Sequence, residues 1–308
     1  MSRRLSVLAL SLVTLLSCTT GDSAELSSPA PTLTTVVTEP TTTASTALFA
    51  APPTTVRTIA SIDECSPIPQ SVGLPDAGQV EHAGPVTIFF EDNVTAVNRD
   101  RVRAGLAAGQ QFIADVLGGF RFREPICLDV RAGGTGSNTV GVVFGANHIV
   151  LYTGARPVDG GPAWLLAHVT AHELMHFWQK DIGNPRDGVG PVWLLEGAAE
   201  LLGYEAVIAA GLATEPDTRN FSLRRVPRDV PSLESMEQRP DDPSQFSYPL
   251  CFLAAEFLTA ERGPLALRDY WRLLSRGRDW ESAFTEAFGV GPTEFYLRFE
   301  AYRGRGFQ

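Results

Sequence analysis

The sequence predicts an α+β fold: a small mixed β-sheet followed by a mainly helical C-terminal half. Three observations predict it. Between residues 86 and 152, short β-branched and aromatic runs alternate with one long helical segment and glycine-containing turns. From Pro162 almost to the end, the apolar spacing turns helical. Residues 63–308 are long enough to close one hydrophobic core, and they contain no internal repeat.

The elements follow in order. Residues 86–90 (Val-Thr-Ile-Phe-Phe) have strand composition. Residues 98–117 read as a helix, opened by Asn98 or Asp100 and closed by Gly118 and Gly119. Strands are predicted at 126–131, 140–144 and 149–152, the last two separated by a turn at 145–147. Helices are predicted at 162–180, 191–212, 246–262, 264–275, 279–288 and 292–303.

The N-terminal part reads differently. Residues 1–4 carry two arginines, and 5–17 are mostly apolar. Thirteen helical residues reach about 20 Å, short of the roughly 30 Å hydrocarbon core, so the segment is expected to be a removable export signal at 1–17. It ends Leu15-Leu16-Ser17-Cys18, which resembles a bacterial lipobox, whose cysteine is acylated and becomes the new N-terminus. Ser2-Arg3-Arg4 resembles the start of a twin-arginine signal, although the rest of that pattern does not match, so the export route stays open. Residues 19–58 contain 13 Thr, 4 Ser and 5 Pro. Such a stretch cannot bury enough apolar surface to offset its chain entropy, so 18–62 is expected to be a disordered tether. The organisation expected is a lipoprotein signal, a tether and one domain at 63–308. The chain would be exported and lipid-anchored on the extracytoplasmic face of the cell membrane.

Composition narrows the function. The chain has 25 basic and 35 acidic residues, a net charge of −10, and Lys180 as its lone lysine. No nucleic-acid partner is expected, because phosphate binding needs a basic patch. Membrane contact is expected only through the lipid, and the protein is expected to be a monomer. Arginine in place of lysine, with abundant alanine and glycine, points to a high-GC bacterial source. Of the four cysteines, Cys18 is assigned to the lipid and Cys251 to a buried position in an apolar helix. Cys65 and Cys127 could form a disulfide in an oxidising compartment, one of three possible pairings.

The chemistry lies at 172–200. His172-Glu173-Leu174-Met175-His176 falls inside an apolar helical run. Residues four apart on a helix are about 40° apart around its axis, so both imidazoles leave one face and can share a small cation. Glu173 lies beside them and can act as general base. This is the H-E-x-x-H zinc motif. A polar decoration of an ordinary helix explains it poorly: the neighbouring side chains are apolar nearly all round, and buried histidines and a buried glutamate need partners. A catalytic zinc site also needs a third protein ligand. The apolar segment 192–204 carries Glu196 and Glu200. As a buried helix it would deliver Glu196 to the metal, with Glu200 one turn on accepting a hydrogen bond from a ligand histidine.

The pair HELMH and WLLEGAAE, with nineteen residues between His176 and Glu196, resembles the gluzincin metallopeptidases. The closest likeness is to the bacterial peptidase MA-like proteins, and it spans roughly 140–303. The resemblance implies a zincin-like domain holding one Zn2+ through His172, His176 and Glu196. Glu173 would be the catalytic base and Glu200 would buttress a ligand histidine. The segment around Tyr248 is similar to one that carries a tyrosine opposite the zinc in aminopeptidase-like relatives, so Tyr248 is the candidate oxyanion donor. No match exists to the motif that grips a free α-amino group.

The expected function is a zinc-dependent peptidase, more an endopeptidase than an exopeptidase, acting on a peptide or protein substrate. A metal-activated water would attack the peptide carbonyl. Two alternatives stand: a non-catalytic binding protein on a zincin scaffold, and a zinc hydrolase of a non-peptide cell-envelope substrate. By analogy with zincins, strand 149–152 would be a sheet edge open to an extended peptide. His168 shares the face of His172, but a His168/His172 metal pair would leave Glu173 and Glu196 without roles. His148 is expected to end a turn, and His82 carries no signal.

Overall fold

The computed structural model describes residues 11–14, 78–119, 126–134, 139–144, 147–183, 190–238 and 245–308. The tether, Cys18 and Cys65 lie outside the described residues, as does most of the proposed signal.

Among the described residues the sheet has six strands in the order β1-β5-β6-β4-β3-β2. These are β1 (Ser11–Thr14), β2 (Gly78–Ala83), β3 (Val86–Glu91), β4 (Ile126–Arg131), β5 (Thr139–Phe144) and β6 (His148–Tyr152). β3, β4 and β6 run parallel, while β2, β5 and β1 are antiparallel to their neighbours. The mixed sheet is as expected, but the edge assignment is not. β6 pairs with β4 on one side and β5 on the other, so 149–152 is interior. β5 lies outside it, and β1, from the segment read as a signal, pairs with β5. β2 was not expected from the sequence, because its polar and charged residues weaken the strand signal. It forms a hairpin with β3 through Gly84, whose φ of +59° suits glycine.

The parallel pair β3 and β4 is joined through α1 (Ala96–Asp115). Its cap is Thr95, whose hydroxyl accepts from the Asn98 amide, rather than Asn98 or Asp100. Asn147 closes the turn before β6, and His148 begins that strand. A short α2 (Arg156–Asp159) leads into α3 (Leu165–Gly183), and α4 (Val192–Ala209) follows. α3 is buried at every position from Leu165 to Gln179, because it is enclosed by α1, α4, α7 and β5. α4 packs on α3 and on α6 (Tyr248–Thr259). A Cβ at Gly197 would lie 2.2 Å from the Cys251 carbonyl oxygen, so this glycine lets the two helix backbones touch.

The remaining helices are α5 (Glu215–Leu223), α7 (Leu265–Ser275), α8 (Trp280–Phe288) and α9 (Pro292–Gly304). They close an aromatic layer in which Trp193 stacks on Phe295 and donates its Nε1–H to the Tyr296 hydroxyl at 3.1 Å. Cys127, on β4, is disulfide-bonded; its partner lies outside the described residues. Cys251 is buried and takes no part in a disulfide. No helix among the described residues is long and apolar enough to cross a membrane.

Candidate metal centre

α3 places His172 and His176 one turn apart with their Nε2 atoms 3.1 Å from each other. α4 brings the Glu196 Oε2 to 3.2 Å from His176 Nε2 and 3.7 Å from His172 Nε2. These three ligating atoms form a nearly equilateral triangle. Two N or O ligands bound tetrahedrally at about 2.0–2.1 Å are separated by roughly 3.3–3.4 Å, so the triangle fits one small cation such as zinc. His172, His176 and Glu196 are 1 %, 7 % and 0 % exposed. The donor set of two imidazoles and a carboxylate is also the chemistry zinc prefers.

The electrostatics of His172 agree with ligand duty. Burial lowers the His172 pKa to about 4, with the neighbouring His176 acting in the same direction and Glu196 opposing. A neutral imidazole has the lone pair that a metal needs. At His176 burial acts downward, but Glu196, Glu173 and Gln179 together raise the pKa, so a metal binding there would displace a proton. The cluster gathers a carboxylate and two imidazoles away from water, a costly arrangement that a divalent ion would relieve.

Glu173 is fully buried, and neither carboxylate oxygen makes a hydrogen bond among the described residues. Burial pushes its pKa up to about 7. Its carboxyl rests on the backbone of β5: a Cβ at Gly141 would lie 2.3 Å from Glu173 Oε1. A side chain there would overlap the carboxylate, which would have to move. Gly141→Ala is therefore expected to displace Glu173 and cut turnover by about 100-fold, since a 1 Å misplacement of a catalytic group costs that much. Zinc content should stay at the wild-type level. Unchanged turnover in Gly141→Ala would show that the Glu173 position is not set by β5.

On the other side of His172, Glu200 Oε1 is 3.5 Å from Nδ1, and Glu200 Oε2 is 3.3 Å from His168 Nε2. The buried Glu200 sits between the two histidines with its pKa pushed up to about 8, by burial first and by the Glu196 charge second. His168 stacks on Tyr204 at 3.7 Å between ring centroids. His168, His172 and Glu200 make a second possible metal-binding group. It would use the opposite nitrogen of His172, and it would leave Glu196 outside.

Tyr248 opens α6 and is buried. Its ring lies 6.5 Å from that of His172, edge on. It lines a small cavity with His168, Glu200 and Arg225, the groups on the Nδ1 side of His172. His82 and His148 lie on β2 and β6, away from the HExxH helix.

Two residues of the site were not singled out in the sequence. Gln179 is fully buried and its Oε1 lies 2.8 Å from His176 Nδ1. Its position three residues after His176, on the same helix face, was the available signal. Gly141 was the other; a glycine inside a strand pattern often marks close approach of another group.

No family model matches the chain, and no curated protein does. Among solved structures it is similar to a variant of an M1 zinc metallopeptidase from Deinococcus radiodurans. That match has a TM-score of 0.40 and 14 % identity over 81 % of this chain and 52 % of the other. It is also similar to yeast LTA4 hydrolase in complex with bestatin, with a TM-score of 0.37 and 17 % identity over 74 % of this chain and 37 % of the other. The chain thus spans about half the length of the first of these and less of the second. The likeness is remote.

Proposed function

We propose that the chain is a zinc-dependent peptidase of gluzincin type, acting outside the cytoplasmic membrane from a lipid anchor at Cys18. The observation that carries the reading is the triangle of His172 Nε2, His176 Nε2 and Glu196 Oε2, with edges of 3.1, 3.2 and 3.7 Å. When bound there, zinc would supply Lewis acidity, polarising a carbonyl and lowering the pKa of water.

The residues of the chain supply the rest. Glu173 takes a proton from the attacking water and returns it to the leaving amine. A raised pKa suits this double duty, because the group must both accept and release near neutral pH. Glu200 Oε1 faces His172 Nδ1 at 3.5 Å, and a hydrogen bond closed between them would leave Nε2 free as a ligand. Tyr248 is the proposed donor to the developing oxyanion, a bond that strengthens only in the transition state. Tyr248→Phe is expected to lower kcat by about 100-fold with KM nearly unchanged. An unaltered kcat would remove it from the reaction.

A broad peptide library, assayed with and without a chelator, tests the function. The expected result is hydrolysis at internal bonds, abolished by chelation and restored by zinc. A second reading, a zincin-like scaffold that binds without hydrolysing, is favoured by one observation: His172, Glu173, His176 and Glu196 are all 7 % exposed or less. Full zinc loading with no cleavage in the library would favour that reading.

A further inference from the structure

We infer that Gln179 is a positioning residue that fixes the tautomer of His176 and locks it to the backbone that carries Glu196. The inference rests on the zinc reading above. The Gln179 amide bridges two helices: its Oε1 is 2.8 Å from His176 Nδ1, and its Nε2 donates to the Leu195 carbonyl at 2.9 Å. Both helices are buried here, and Gln179 itself has no exposed surface.

The logic starts from Leu195. A backbone carbonyl can only accept, so the NH2 end of Gln179 must face it. The remaining end, the amide oxygen, then faces His176 Nδ1. An amide oxygen can only accept as well, so His176 must carry its proton on Nδ1. A neutral imidazole protonated on Nδ1 has its lone pair on Nε2. That is the atom 3.1 Å from His172 Nε2 and 3.2 Å from Glu196 Oε2. One side-chain amide therefore sets which nitrogen of His176 is available to the metal.

The same bridge couples two ligands. Leu195 directly precedes Glu196 on α4, and Gln179 follows His176 by three residues on α3. Shifting α4 along α3 would break the Leu195 bond, rotate the amide and unseat His176. The third ligand and the second are thus held in register by a residue that touches neither metal nor substrate. Ligand histidines are commonly oriented through their other nitrogen, and loss of such a partner costs about 10–100-fold in metal affinity.

The test measures zinc affinity of the folded protein by competition with a chelator, beside the imidazole N–H resonances of the zinc-loaded protein. Wild type is expected to bind one zinc and to show a slowly exchanging Nδ1–H at His176. Gln179→Met keeps the packing volume and loses both hydrogen bonds. It should bind zinc about 10–100-fold more weakly and lose that resonance. Gln179→Glu, protonated in this buried position, keeps an acceptor toward His176 and an O–H donor toward the Leu195 carbonyl, so the resonance should persist there, and this variant decides the matter if the Met variant does not fold. Wild-type zinc affinity in Gln179→Met, or loss of the resonance in Gln179→Glu, would overturn the inference while leaving the zinc reading intact. A wild-type protein that binds no zinc would instead overturn the zinc reading, and the inference with it.

Discussion

Glu173→Gln is expected to lower kcat/KM for peptide hydrolysis by roughly 10²–10⁴-fold, the usual worth of a general acid–base. Zinc binding should be unchanged, because Glu173 is not one of the three converging ligands. Stability should be unchanged or slightly higher. Glu173 is fully buried with no hydrogen bond to either oxygen among the described residues, which is a strained condition for a carboxylate. Removing an ionisable group from that position relieves the strain, as happens when activity and stability trade against each other. The measurement pairs steady-state kinetics with zinc analysis and a melting curve. A fully loaded variant that still hydrolyses peptides at the wild-type rate would eliminate Glu173 as the base. The converse pattern, lost activity with lost zinc, would make Glu173 a ligand or a fold determinant instead.

The second large effect concerns the metal ligands and stability. Zinc binds the folded chain through residues from two helices, so it should stabilise the native state by mass action. At free zinc about 100 times the dissociation constant the gain is roughly 2.7 kcal/mol. For a domain of this size that raises the melting temperature by roughly 5–10 °C. His172→Ala, His176→Ala and Glu196→Ala should each abolish activity and remove most of the zinc-dependent shift. Calorimetric scans with and without zinc give this directly. A shift that survives in all three variants would place the zinc elsewhere.

The legible parts of the fold were those with strong local signals. Residues 86–90 and 126–131 form strands because β-branched and aromatic side chains pack well on a pleated surface. α3 and α4 were recognisable from their nearly unbroken apolar runs. β2 and α5 were not, being short and largely polar, and held by tertiary pairing and packing. Strand order was not legible at all: that 149–152 lies inside the sheet depends on β5 folding back beside it. The metal-site pattern was legible because helical spacing alone puts His172 and His176 on one face. The reach of Glu196 followed from its burial on a second helix. Gln179 and Gly141 act through contacts with Leu195 and Glu173, and no local pattern announces those pairs.

Diffraction from crystals grown with zinc, recorded at the zinc absorption edge, tests the proposed centre most directly. The expected result is one anomalous peak within bonding distance of His172 Nε2, His176 Nε2 and the Glu196 carboxylate, with Glu200 and Gln179 facing the far nitrogens of the two histidines. A peak held instead by His168, His172 and Glu200, or no peak in crystals of the zinc-saturated protein, would contradict it.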